Sequence, residues 1–141
     1  MIFIIDDDPS VRNALLLLLQ NVGFEARAFP SAEDFYKHAL INNHDCIILG
    51  LRMPEMNGFD LMETLISEGI HTPVICLTAF DDVKNRERAR ELGAVAYCTK
   101  PVDDQALIDA IKWAIISERR QRLEAEGKIN PANNESGQRL E

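Results

Sequence analysis

The sequence predicts an α/β fold: a five-stranded parallel sheet with helices on both faces. Three observations carry that prediction. Short apolar runs alternate five times with stretches of helical periodicity. Glycine closes three of the helical stretches, at Gly23, Gly69 and Gly93. The chain has 141 residues, enough for one domain with a proper core and too few for two ordinary ones.

The elements follow in order. Residues 2–5 form the first strand, and a helix runs from about Ser10 through Leu15-Leu16-Leu17-Leu18-Leu19 to Val22. Residues 25–29 alternate polar and apolar side chains, as in an edge strand wetted on one side. Ser31, with Asp34 three residues on, resembles a capping box for a short helix ending near Leu40. Cys46 to Leu49 is the third strand, and the loop Met53-Pro54-Glu55-Met56-Asn57-Gly58 leads into a helix from about Phe59 to Glu68. Val74 to Leu77 is the fourth strand, Asp82 to Leu92 a charged helix, and Val95 to Thr99 the fifth strand, broken by Lys100-Pro101. From Asp103 the residues Leu107, Ile108, Ile111, Ala114 and Ile115 fall on one helical face. Crossovers between parallel strands are right-handed.

Residues 1–120 therefore read as one domain, and 121–141 as a helix extension followed by a linker or tail, disordered from about Lys128. The net charge is −8, with −9 over residues 1–118 and +1 over 119–141, so neither part resembles a nucleic-acid surface. Arg119, Arg120 and Arg122 complement a helix C-terminus without any partner. No apolar run reaches the ~18 residues of a membrane span, and no basic region precedes the first strand. A cytoplasmic protein with no membrane or nucleic-acid partner is expected. Cys46, Cys76 and Cys98 have no Cys or His neighbours at metal spacing and read as buried, reduced thiols. His38, His44 and His71 are scattered and expected at the surface; Met53 and Met56 are expected to pack the loop.

In an open parallel sheet, ligands bind beyond the carboxyl ends of the strands. Asp6-Asp7-Asp8 follow the first strand, Gly50 ends the third, Thr78 follows the fourth and Lys100 the fifth, so all four sites share one edge. Paired carboxylates suit a hard cation such as Mg²⁺, a lysine ammonium balances phosphoryl charge, and a threonine hydroxyl donates to it. That set suits phosphoryl transfer to an oxygen, which an aspartate at the end of the middle strand would supply. Asp8 is the exception, expected to serve the first helix as an N-terminal charge.

With Ile4-Ile5-Asp6-Asp7-Asp8-Pro9-Ser10-Val11-Arg12, Leu49-Gly50-Leu51-Arg52-Met53-Pro54-Glu55-Met56-Asn57-Gly58, Leu77-Thr78-Ala79 and Tyr97-Cys98-Thr99-Lys100-Pro101 in this order, residues 1 to about 120 resemble the CheY-like receiver domain of bacterial two-component response regulators. The resemblance implies a flavodoxin-like sheet of order 2-1-3-4-5, and a non-enzymatic role in a phosphorelay with a histidine kinase or phosphotransfer protein. It implies that Asp6, Asp7 and the backbone carbonyl of Arg52 are metal ligands, that Thr78 and Lys100 contact the phosphoryl group, that Tyr97 is the switch aromatic, and that Lys100-Pro101 is a cis step.

Gly50 is the departure. Receivers carry aspartate at this position; glycine has no side-chain oxygen, so no acyl phosphate forms there and Mg²⁺ is expected to bind more weakly or not at all. The rest of the set is intact, which points to a recent or introduced loss. Two other readings compete. Ile4-Ile5-Asp6-Asp7-Asp8 also fits the start of a haloacid-dehalogenase-type, Mg²⁺-dependent phosphohydrolase with Asp6 as nucleophile, but its closing acids, Asp103 and Asp104, stand too near Lys100. A DNA-binding regulator is the other, with its effector domain missing here, since no helix-turn-helix pattern occurs in these residues. For partners, the resemblance implies a kinase against the first helix near Val11 and Leu15. It also implies a homodimer through the fourth helix, fifth strand and fifth helix, where Lys84, Arg86, Arg88 and Arg90 would complement Asp103, Asp104 and Asp109.

Overall fold

The computed structural model describes residues 1–42, 45–53 and 56–129. Strands β1 (Ile2–Ile5), β2 (Ala26–Phe29), β3 (Cys46–Gly50), β4 (Val74–Thr78) and β5 (Ala96–Thr99) alternate with helices α1 (Pro9–Asn21), α2 (Ala32–His38), α3 (Gly58–Ser67), α4 (Val83–Glu91) and α5 (Asp104–Ala125). All neighbouring strands pair parallel, in the order β2-β1-β3-β4-β5. The predicted sheet and its order are both present.

Alternation of side chains across each strand splits the core into two layers. On one face Phe3, Ile5, Ile47, Leu49 and Cys76 pack with Phe35 of α2, Leu61, Met62 and Leu65 of α3, and Ala89 of α4. On the other, Ile2, Ile4, Ile48, Ile75 and Leu77 pack with Leu15 and Leu19 of α1 and Leu107, Ile111 and Ala114 of α5. A fully buried Ile, Leu, Val or Phe contributes about 1.5–3 kcal/mol, which explains why β1, β3 and β4 consist almost wholly of buried apolar residues.

Helices α4 and α5 start one residue after the sequence estimates because Asp82 and Asp103 act as caps rather than as first helical residues, whereas α1 and α3 start one residue before them. Asp8, Asp82 and Asp103 accept backbone N–H bonds from Ser10, Asn85 and Ala106. Ser31 accepts from the Asp34 N–H, and Asn57 and Asp60 form a reciprocal capping box. Gly23, Gly69 and Gly93 end α1, α3 and α4 with φ of 93°, 71° and 89°. Gly58 has a different task. A Cβ there would stand 2.7 Å from the Gly50 carbonyl oxygen, so only glycine lets α3 start directly against the end of β3.

Candidate functional site

Parallel strands in register end together, and that places the polar residues. Ile5 pairs with Leu49, Gly50 with Leu77 and Thr78 with Thr99. Asp6, Gly50, Thr78 and Lys100 therefore stand at one edge of the sheet, around the end of the central strand.

Asp6 is 1% exposed and held from several sides. Its Oδ1 accepts the Asp8 N–H at 2.9 Å, its carbonyl accepts Arg12 Nη1 at 2.8 Å, and its own N–H donates to the Phe29 carbonyl. Its Oδ2 meets Lys100 Nζ at 2.7 Å. That contact is an ion pair without hydrogen-bond direction, since the buried Oδ2 has no partner of hydrogen-bonding geometry. Lys100 is anchored by its own N–H, which donates to the Thr78 carbonyl at 2.8 Å, and the Lys100-Pro101 bond is cis.

The carboxylate of Asp6 leans into the room that a side chain at position 50 needs. A Cβ on Gly50 would lie 2.7 Å from Asp6 Oδ2, 3.1 Å from its Cγ and 3.2 Å from the Ile5 carbonyl oxygen. The glycine thus removes an oxygen and also leaves space that the Asp6–Lys100 pair has closed.

Asp7 is exposed and lines a cleft of about 580 Å³ with Arg52, Met53, Asn57, Asp82 and Asn85. The Arg52 guanidinium lies 3.7 Å from the centre of the Phe80 ring, joining the β3–α3 and β4–α4 loops across this cleft. Phe80 also gathers the two hydroxyls. Buried Thr78 accepts the Phe80 N–H at 3.1 Å and reaches the Phe80 carbonyl at 3.4 Å, and the Tyr97 hydroxyl donates to the same carbonyl at 3.4 Å. Burial, then the charges of Asp81 and Asp82, hold the Tyr97 phenol above its usual pKa. Thr78 is therefore engaged with loop backbone and faces Phe80.

In this arrangement few oxygens are left free for a divalent cation. Both oxygens of Asp6 are engaged, position 50 offers none, and no cluster of three or more carboxylate, imidazole or thiol groups placed to hold a metal occurs among the described residues.

The family model for the response regulator receiver domain matches residues 2–112. The chain belongs to that family. The receiver is 34% identical over 122 residues to Nodulation protein W of Bradyrhizobium diazoefficiens, a match covering 86% of this chain and 54% of that protein. Transcriptional regulatory protein TdiR of Thauera aromatica is 34% identical, with 84% of this chain and 52% of that protein covered. Among solved structures, the response regulator StyR superposes with a TM-score of 0.80 and 38% identity, covering 90% of this chain and 65% of that one. FixJ-N gives 0.74 and 34%, covering 81% and 91%. The chain spans about half the length of these curated relatives. Receiver domains are signalling domains that generally bind Mg²⁺ at the phosphorylation site and interact with histidine kinases or phosphotransfer proteins. No helix among the described residues is long and apolar enough to cross a membrane.

Several expectations need correction. Leu15, expected at a kinase-facing surface, is 5% exposed and belongs to the core, whereas Val11 stays partly open. Cys98 is only half-buried, because β5 is an edge strand; Cys46 and Cys76 are buried. Arg86 pairs with Asp81 at 2.6 Å and Arg88 with Glu63, so two of the four cations assigned to a dimer face already have partners. Met53 and Met56 pack against the core, Asp8 caps α1, and His38 and His71 are exposed, all as expected. Pro54 and Glu55 of the β3–α3 loop, His44, and the tail from Asn130 lie outside the described residues. The sequence reading gave neither Arg12 nor Phe80 a role. The signal for Phe80 was an aromatic two residues past Thr78 in a loop; Arg12 carried none.

Proposed function

We propose that this receiver passes signals by partner-biased conformation, without phosphorylation at position 50. Gly50 stands at the phosphoacceptor position, and the observation that carries the reading is the Asp6–Lys100 pair in the space a side chain there would use. Asp6, Asp7 and the Arg52 carbonyl are the residual metal ligands, with Mg²⁺ affinity weakened because one carboxylate is absent and another is neutralised. Thr78 and Lys100 are the phosphoryl-contacting pair of the complete site, and Tyr97 is the switch aromatic.

A switch responds to any ligand with a preference between its states, so loss of the acceptor leaves the conformational equilibrium available to a protein partner. The partners proposed are a histidine kinase or phosphotransfer protein at the α1 side, and a second copy through the α4–β5–α5 side. An effector domain following residues 1–120, with 121–141 as extension and linker, fits the transcriptional regulators among the relatives, and a cytoplasmic setting fits a partner of that kind. Calorimetric titration with Mg²⁺ tests the reading. The Gly50→Asp form binds at least ~10-fold more tightly than the parent chain; equal affinities contradict it.

A further inference from the structure

The loops that follow β3 and β4 each send one side chain across the cleft between them. Arg52 stands two residues past Gly50, between Leu51 and Met53, whose burial at 4% and 8% exposure fixes the backbone on either side. Phe80 stands two residues past buried Thr78 and is 52% exposed. The Arg52 guanidinium lies 3.7 Å from the centre of the Phe80 ring, well inside the ~6 Å reach of a cation–π contact. Carboxylates stand close by, since Asp7 and Asp82 line the same cleft and Asp81 follows Phe80. Yet Asp81 pairs with Arg86, Asp82 caps α4, and Arg52 makes no ion pair among the described residues. The guanidinium rests on the ring instead. Among the described residues, no hydrogen bond, ion pair or other ring contact joins residues 51–57 to 79–82.

We propose that the Arg52–Phe80 stack is a latch, which ties the β4–α4 loop to the β3–α3 loop and so holds Thr78 and Tyr97 in their present hydrogen bonds, independently of any phosphoryl group. The reason lies in where the two hydroxyls end. Thr78 Oγ1 accepts the Phe80 N–H at 3.1 Å, and the Tyr97 hydroxyl donates to the Phe80 carbonyl at 3.4 Å, so both depend on the backbone of one residue. Moving Phe80 breaks both bonds at once. Tyr97 then keeps only the Arg86 guanidinium, 5.5 Å from its ring centre, and the buried Thr78 hydroxyl has to find a new partner. A cation–π pair between exposed groups is weak, which suits a latch: a partner that takes Arg52 or Phe80 into its own surface opens it at small cost. The latch rests on the proposed function in treating Tyr97 as the switch aromatic. Its test uses neither Mg²⁺ nor a phosphodonor, so the two can fail separately.

Amide hydrogen exchange at position 80, together with fluorine NMR of the chain carrying fluorotyrosine at its two tyrosines, tests the latch. Tyr36, hydrogen-bonded to Glu68 between α2 and α3, serves as the internal reference. Arg52→Gln and Phe80→Leu each remove one half of the stack. Either alone is expected to lower the protection of the position-80 amide about 2- to 5-fold and to shift the Tyr97 resonance, with Tyr36 unmoved. The double variant falls no further than either single one, as two changes to one shared contact require. Arg52→Lys keeps a cation over the ring and retains most of the protection. Both side chains face solvent, and circular dichroism of each variant verifies the fold. Unchanged protection and an unmoved Tyr97 resonance in both single variants, or effects that add in the double one, overturn the latch.

Discussion

Replacing Gly50 with aspartate puts two carboxylates where the fold now holds one. The new Cβ arrives 2.7 Å from Asp6 Oδ2, so the Asp6 side chain must rotate away and loosen its hold on Lys100. Two carboxylates about 4 Å apart at an effective dielectric near 20 repel by about 4 kcal/mol. Lys100 between them returns about half of this, which leaves a net cost of about 2 kcal/mol and a fall in melting temperature of roughly 8 °C without metal. Gly50→Ala isolates the steric part, at about 1 kcal/mol and roughly 4 °C. Mg²⁺ separates the two variants. At ten times the dissociation constant of the aspartate form it returns about 1.4 kcal/mol to that form and about 0.4 kcal/mol or less to the parent and alanine forms. Thermal unfolding of all three, with and without Mg²⁺, is the assay. An aspartate form that melts with the parent in the absence of metal, or an equal Mg²⁺ response in all three, would refute the reasoning.

Two further outcomes follow from the same geometry. Lys100→Met leaves the Asp6 carboxylate buried and without its cation; breaking such a pair costs about 3–5 kcal/mol, reduced here to roughly 2–3 because the Lys100 side chain is 25% exposed. Urea unfolding measures it, and a loss below about 0.5 kcal/mol would show the pair to be incidental. Burial pushes the Cys46 and Cys76 thiols up to about 12 from the ordinary 9.0. Folded-state values above the unfolded ones mean that the associated stability is complete below pH 9.0 and is lost as pH rises towards 12. Urea midpoints should therefore fall above pH 9.0, and thiol labelling at neutral pH should reach half-buried Cys98 first; prior labelling of Cys46 or Cys76 would contradict the assigned burial.

Much of this was legible in the sequence because it follows from periodicity. Apolar runs alternating with helical stripes predicted the strand and helix order, and parallel strands in register then had to bring Asp6, Gly50, Thr78 and Lys100 to one edge. Asp8 was readable as a helix-terminal acid because its role is local. What stayed hidden depends on contacts between distant segments. A run of five leucines in α1 does not say that Leu15 and Leu19 turn inward while Leu17 faces water. Nor does a basic stretch in α4 reveal that Arg86 finds Asp81 and Arg88 finds Glu63. The closure of Asp6 and Lys100 over Gly50 needs side-chain positions good to a few tenths of an ångström, which no spacing rule supplies.

Intact-mass measurement after treatment with a small phosphodonor and Mg²⁺ addresses the phosphate-silent site most directly. The parent chain is expected to gain no phosphoryl group, and its Gly50→Asp form to gain one. A phosphoryl adduct on the parent chain at the same level would contradict a silent site and would move the acceptor to Asp6, Asp7 or Asp8.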